Sequence, residues 1–313
     1  QLVYKLKKAV TLPFVDFAAL DARRTTCREE VRLNRRLCRD VYLGTAALRR
    51  EPSGALRFAD VGDDESEHDL DTAVVMRRLP QQRMLDVLVR EHAVADEQLA
   101  ELARLLAAFH AGADRGPATL AAGDPHRLAE FAQQNFTELA ATTGHGLPPP
   151  LLAALAHAHR QDFERDLPTL VRRHGRGRVV DGHGDLHARN VCMTSPPTVY
   201  DCIEFEPAFR CGDVATEIAF LAMDLRHRGA AALAETFVDA YTQASGDGEL
   251  PTLLPTLCAY RAMVRCKVAA LTAGEATIAA ADRDGARRSA WRYLLLAASC
   301  AVEARGPSWL VVC

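Results

Sequence analysis

The chain has 313 residues, 49% of them hydrophobic and 25% charged, enough to bury roughly three quarters of the surface its unfolded form exposes, so it makes one large or two modest globular domains. Its 38 Lys and Arg against 41 Asp and Glu leave a formal net charge of −3, which points to neither nucleic acid nor an anionic membrane as a partner. No apolar run reaches the roughly 18 residues that cross a bilayer, and only 2 Trp and 6 Tyr beside abundant Ala and Leu favour a helix-rich core over a β-sandwich.

In chain order, Leu2 to Val10 alternates as a strand, and 14–21 leads into a helix predicted over about 22–37. Val31, Leu33 and Leu37 form its apolar face, with Arg23, Arg24, Arg28, Arg35 and Arg36 around the rest. Short strands are predicted at 41–48, 56–61 and 72–76, with the acidic stretch 63–71 as a solvated loop. After Pro80 the pattern turns to long helices at about 82–111, 124–142, 150–173, 229–244, 251–280 and 283–304. One island, 179–205, carries β-branched residues and a Ser195-Pro196-Pro197 turn, and is expected to form a hairpin within the helical part. The expected organisation is a small mixed lobe over 1–78 and a larger helical lobe over 79–305, with a hinge near 76–80. The 9 cysteines, odd in number and without a CxxC pair, read as buried free thiols of a reducing, cytoplasmic compartment. The amino terminus lacks the pattern of a signal peptide.

The chemistry concentrates in the island. It reads His183-Gly184-Asp185-Leu186-His187-Ala188-Arg189-Asn190, then Val199-Tyr200-Asp201-Cys202-Ile203-Glu204-Phe205-Glu206. An Asp and an Asn five positions apart in a Gly-containing loop, with another carboxylate 11 to 14 residues further on, follow the order of parts in kinase-type phosphoryl-transfer sites. Such sites work by positioning and charge neutralisation: one carboxylate receives the proton of the attacking hydroxyl, while an amide oxygen and a second carboxylate hold Mg²⁺ against the phosphates. The plainer alternative is a polar turn in which Asp185 and Asn190 cap local backbone. A third alternative takes His183, Asp185, His187 and Asp201 as the ligands of a metal-dependent hydrolase, which Gly184 and the loop context disfavour. Lys5, Lys7 and Lys8 taken alone fit a solvated strand edge. The acids Glu206, Asp213, Glu217 and Asp224 are expected to cap helices and form ion pairs rather than receive a cationic substrate. Arg261 and Arg265 are expected to form surface ion pairs.

The HGDxxxxN loop is the form found in aminoglycoside phosphotransferases and their relatives. The stretches HGDLHARNV, DCIEFE, GDVATEIAFLAMDL, VYKLKK and REEVRLNRRLCRDVYLG more closely resemble the amino-terminal kinase-like domain of bacterial bifunctional aminoglycoside phosphotransferase and ATP-binding proteins, over most of residues 2–305. The resemblance implies an α+β, protein-kinase-like two-lobed fold that uses ATP and Mg²⁺. It implies Asp185 as catalytic base, Asn190 as a metal ligand, Lys5 as the phosphate-binding lysine and Glu30 as its helix partner, with His183 and Asp213 bracing the loop. Glu29 rivals Glu30; counting back seven places from Leu37 selects Glu30. The backbone of Arg77 to Leu79 is expected to carry the adenine, with Met76 at the gate position. The second metal ligand is Asp201 by residue type, or Glu204 by spacing and by the pattern Ile203-Glu204-Phe205-Glu206; strand alternation puts the two on opposite faces, so one faces the metal unless the strand is bulged.

The expected reaction is transfer of the γ-phosphoryl group of ATP to a hydroxyl of a small molecule, with no nucleic acid or membrane as partner. The alternative is a catalytically idle nucleotide-binding module that regulates a downstream P-loop NTPase. Only four residues precede Lys5, so the hairpin that covers the nucleotide phosphates is expected to lie outside these residues, which as they stand are expected to bind nucleotide weakly. Trp309 to Cys313 is expected to be the first strand of a fused P-loop ATP-binding domain.

Overall fold

The computed structural model describes residues 1–12, 15–63, 66, 68–142 and 145–306; the strand expected at Trp309 to Cys313 lies outside them. In chain order the elements are β1 (Leu2–Leu6), β2 (Thr11–Leu12), β3 (Val15–Asp16), α1 (Leu20–Asn34), β4 (Tyr42–Arg50), β5 (Leu56–Phe58), β6 (Asp71–Arg77), α2 (Leu85–Arg90), α3 (Asp96–Gly112), α4 (Pro117–Ala122) and α5 (Pro125–Ala141). There follow α6 (Pro149–Gly175), β7 (Val179–Asp181), β8 (Val191–Cys192), β9 (Thr198–Val199), α7 (Pro207–Arg210), β10 (Cys211–Asp213), α8 (Val214–His227), α9 (Ala231–Ser245), α10 (Leu250–Gly274) and α11 (Ala280–Glu303). They form two compact units, one of Gln1–Val94 with His183–Arg210, the other of Ala95–Gly182 with Cys211 onward.

The first unit is built on an antiparallel sheet of order β1-β6-β4-β5. In β1 the period of two leaves Leu2, Tyr4 and Leu6 exposed and turns Val3 and Lys5 to the half-buried face. Lys5 lies opposite Val74 of β6, whose run Ala73-Val74-Val75 is fully buried. Helix α1 packs on this sheet, with Cys27 and Val31 against Val41, Tyr42 and Val74. It ends three residues before the predicted limit because Arg36 and Leu37 donate to the carbonyls three residues back, a tighter turn than the helix continues.

The boundary expected at 78/79 does not coincide with the division between the units. Met84 bridges to Cys192, Arg83 Nε donates to the Met193 carbonyl at 2.8 Å, and Met84, Val87 and Cys192 share a small apolar cluster. These contacts keep α2 with the hairpin β8–β9. The single helix predicted over 82–111 is broken because His92 takes a left-handed φ of 51° and the Ala93 amide closes the helix end on the Leu88 carbonyl, a role glycine usually fills.

In the second unit α10 packs against α11, α8 and α5, and α3 against α9. Helix α8 was not among the predicted helices. Every residue from Val214 to Leu225 is buried, so it has no polar face to give the 3.6-residue period. Among the described residues no helix is long and apolar enough to cross a membrane. The eight described cysteines are free and buried. Burial pushes the thiols of Cys27 and Cys300 up to about 11 and those of Cys38 and Cys266 up to about 12.

In the second unit Arg173 has no exposed surface. Its Nε and Nη2 donate to Asp213 at 2.8 Å each, and Nη1 and Nη2 to Asp247 at 2.6 and 2.7 Å. Burial alone would raise the Asp247 carboxyl, but the bonds and charge of Arg173 outweigh it and hold the group below the usual carboxylate value. A depressed native pKa stabilises the fold above the unfolded value, and this contribution is lost as pH falls through the folded value, below about pH 4. Arg173→Met is therefore expected to cost about 3–5 kcal/mol at neutral pH by leaving two buried carboxylates without the guanidinium between them. In urea titrations the gap to wild type narrows below about pH 4, as Asp247 protonates.

Candidate active site

The loop after β7 owes its shape to Gly184. Its φ is +85°, and a Cβ there would stand 2.7 Å from the Phe209 carbonyl oxygen and 2.9 Å from the Arg210 Cα. His183, fully buried, accepts from the Asp185 amide at Nδ1 (3.3 Å) and donates from Nε2 to the Tyr200 carbonyl (2.9 Å). These partners select the neutral Nε2–H tautomer and join the loop to the chain just before Asp201. Both ring nitrogens are thus engaged, which removes His183 from the metal-ligand set of the hydrolase alternative.

Asp185 and Asn190 converge. Asn190 Nδ2 donates to the Asp185 carbonyl at 2.9 Å and to its Oδ2 at 3.1 Å, and His187 Nε2 stands 3.4 Å from the same Oδ2. The Asp185 side chain keeps 32% of its surface exposed. With its nitrogen held, Asn190 has its amide oxygen left to accept, and no described residue donates to it. The Tyr200 amide donates to the Asn190 carbonyl at 3.0 Å as the β8–β9 hairpin returns, which brings the next acid back to the loop.

That acid, Asp201, has a left-handed φ of 65°, an uncommon conformation for a side-chain-bearing residue and one concentrated at functional sites. Its amide donates to the Tyr42 hydroxyl at 3.2 Å, and the Cys202 amide donates to Asn34 Oδ1 at 2.9 Å. Residues 201–204 form no strand, so the alternation expected to separate Asp201 from Glu204 does not operate. Both instead end on one chain of charges. Lys5 Nζ lies 2.5 Å from Asp201 Oδ1 and 2.8 Å from Glu30 Oε1; Lys7 Nζ lies 2.6 Å from Glu30 Oε2 and also bonds Glu204. The order is Asp201–Lys5–Glu30–Lys7–Glu204. Burial would lower both ammonium groups, but the acids around them outweigh it and raise both. Burial raises the Glu204 carboxyl in spite of Lys7. Asp201 keeps 42% of its side-chain surface exposed and Glu204 only 8%.

Met76, Leu79 and Tyr200 are half-buried against the cluster of Val41, Tyr42 and Val74. The Arg77 amide is bound to the Val41 carbonyl and the Arg78 amide to the Gln1 carbonyl, whereas the Leu79 amide and carbonyl have no partner among the described residues. Asp213, expected beside the loop, is bound to Arg173 and, as the cap of α8, to the Ala215 amide at 2.9 Å, all within the second unit. Glu206 accepts from the Ala208 amide, Glu217 pairs with His110, and Asp224 with Arg228. Arg261 is buried over the rings of Phe220 and Tyr260 rather than paired at the surface. Sequence reasoning missed Lys7, Asn34 and Tyr42; the available signals were Lys7 two residues beyond Lys5 on one strand face and Asn34 one helical turn beyond Glu30.

The oxygen donors of Asp201 and Asn190 fit Mg²⁺, which prefers one or two protein oxygens together with phosphates and water. Among the described residues no three His, Cys, Asp or Glu side chains form a cage for a cation.

Three comparisons bear on this geometry. The sequence profile of the phosphotransferase enzyme family matches residues 21–253. The uncharacterized proteins Rv2004c of Mycobacterium tuberculosis and Mb2027c of Mycobacterium bovis are each 31% identical over 266 residues, 85% of this chain and 51% of theirs; the chain spans about half the length of these curated relatives. Choline kinase from Cryptosporidium parvum Iowa II matches with a TM-score of 0.51 at 9% identity, over 97% of this chain and 83% of that one. The likeness is one of fold: α+β and kinase-like, with a small mixed lobe and a larger helical one.

The loop geometry is testable without a substrate. Gly184→Ala is expected to destabilise by at least about 1–3 kcal/mol through its positive φ and the carbonyl contact. Gly248→Ala, with no atom within 4 Å of the added Cβ, should stay within about 0.5 kcal/mol of wild type, both read from denaturant midpoints.

Proposed function

Because the chain belongs to the phosphotransferase enzyme family, we propose that it transfers the γ-phosphoryl group of ATP to a hydroxyl of a small molecule. The observation that carries this is the convergence of Asp185 and Asn190 in one braced loop, within the same compact unit as the chain Asp201–Lys5–Glu30.

Asp185 is the base. Its carboxylate is partly exposed and fixed by Asn190 and His187, so it can receive the proton of an attacking hydroxyl without first being ordered. Asp201 and the Asn190 amide oxygen would hold Mg²⁺, which when bound neutralises charge on the phosphates. Lys5 is the phosphate-binding cation, held in reach by Glu30. The Leu79 amide and carbonyl serve the edge of the adenine, and Met76, Leu79 and Tyr200 give it an apolar bed. The likeness to a choline kinase supports a small-molecule alcohol as acceptor, and nothing in the loop itself requires an aminoglycoside.

In the full-length protein, given ATP, Mg²⁺ and a panel of hydroxylated metabolites and aminoglycosides, Asp185→Asn is expected to lower turnover by about 10²- to 10⁴-fold. ATP affinity should stay within a few-fold. Unchanged turnover would refute the base role. Stoichiometric ATP binding by the wild type with no product from any acceptor would favour the idle nucleotide-binding module instead.

A further inference from the structure

We infer that Lys7 is a second lysine of the nucleotide site, a positioning residue that occupies Glu204 and one oxygen of Glu30, leaving Asp201 as the carboxylate that meets the cation and Lys5 free to turn to a phosphate. The inference rests on the phosphotransfer role proposed above.

Lys5 and Lys7 stand two residues apart, so both project from the same side of an extended chain. They differ in access: the Lys5 side chain keeps 38% of its surface exposed, Lys7 only 6%. Glu30 has no exposed surface and gives one oxygen to each lysine. A single lysine could not leave such a carboxylate for a phosphate without stranding a buried charge. With Lys7 on the other oxygen, Glu30 stays paired while Lys5 exchanges Asp201 for a ligand.

The same residue sorts the two acids. Glu204 is buried and bonded to Lys7, whereas Asp201 is half-exposed and engages only one oxygen with Lys5. Three carboxylates against two ammonium groups give the cluster a net charge of −1. Without Lys7 it becomes −2, and Glu204, having lost its partner, is drawn to any cation that Asp201 attracts. Lys7 thus keeps the empty site from trapping a divalent ion in the absence of nucleotide.

Mn²⁺ alone, titrated by electron paramagnetic resonance, and a non-hydrolysable ATP analogue, titrated by calorimetry in the full-length protein, test this. Lys7→Met is expected to bind Mn²⁺ about tenfold more tightly, through the unmasked negative charge, and the nucleotide analogue about tenfold more weakly. Lys7→Met combined with Glu204→Met should return Mn²⁺ affinity to the wild-type value. A residue that merely supports the fold would lower the melting temperature without tightening Mn²⁺ binding. Glu204→Gln separates the roles even where Lys7→Met fails to fold: a fall in Mn²⁺ affinity of no more than about tenfold, the effect of one removed charge, beside a far larger loss in Asp201→Asn, supports the assignment. A loss in Glu204→Gln equal to that in Asp201→Asn makes Glu204 a ligand and overturns it. Wild-type Mn²⁺ and nucleotide affinities in Lys7→Met, with nucleotide binding weakened in Lys5→Met, overturn the role of Lys7 alone. Wild-type nucleotide affinity in Lys5→Met, with no transfer to any acceptor, would instead sink the phosphotransfer role.

Discussion

A carboxylate with no access to water must be paired or protonated, and Glu30 is paired on both oxygens. This constraint ties three stretches of chain into one object. The two lysines come from β1 and the residue just beyond it, the acid from one turn before the end of α1, and the acids at the far ends of the charge chain from the segment after β9. Asn34, one helical turn along from Glu30, donates to the Glu30 carbonyl and accepts the Cys202 amide. Helix α1 therefore grips the 201–204 segment through both a charged and a neutral contact. Shifting any one of the three stretches leaves a buried ion without its counterion, an error costing several kcal/mol.

The loop 183–190 is held differently. His183 bridges its start to the Tyr200 carbonyl with neutral hydrogen bonds, and Gly184 fits where no side chain can. Hydrogen bonds thus brace the loop at Asp185, while around Lys5 and Lys7 the protein concentrates charge. Such a division suits a reaction whose protein contribution is mainly orientation of a hydroxyl on one side and compensation of phosphate charge on the other.

The loop was legible in the sequence because its chemistry is local: Asp185, Asn190, Gly184 and His183 lie within eight residues and act on one another. Lys5 and Glu30 were legible because a strand lysine followed by a helix acid matches a known order of parts. Lys7 and Asn34 were not, since a lysine at a strand end and an asparagine late in a helix are by default solvated. Only the tertiary placement of Glu30 and Cys202 makes them buried partners. Residue type favours Asp201 and spacing Glu204, and the strand alternation that would set them on opposite faces fails once the backbone turns left-handed at Asp201. The helix break at His92 and the whole of α8 escaped for related reasons, one lacking a glycine and the other a polar face. The boundary between units depends on packing of α2 against β8 that no local pattern encodes.

The eight buried thiols carry a practical corollary. Because alkylating reagents attack the thiolate, and both occlusion and raised pKa values keep that form scarce, these sulfurs stay silent in the folded state and become reactive only when their surroundings open. Cys27 and Cys38 sit in the first unit, and Cys258, Cys266 and Cys300 in the second. Mass-resolved pulse labelling thus turns the chain's own sulfurs into paired clocks, timing the opening of each unit separately without a dye or an introduced probe.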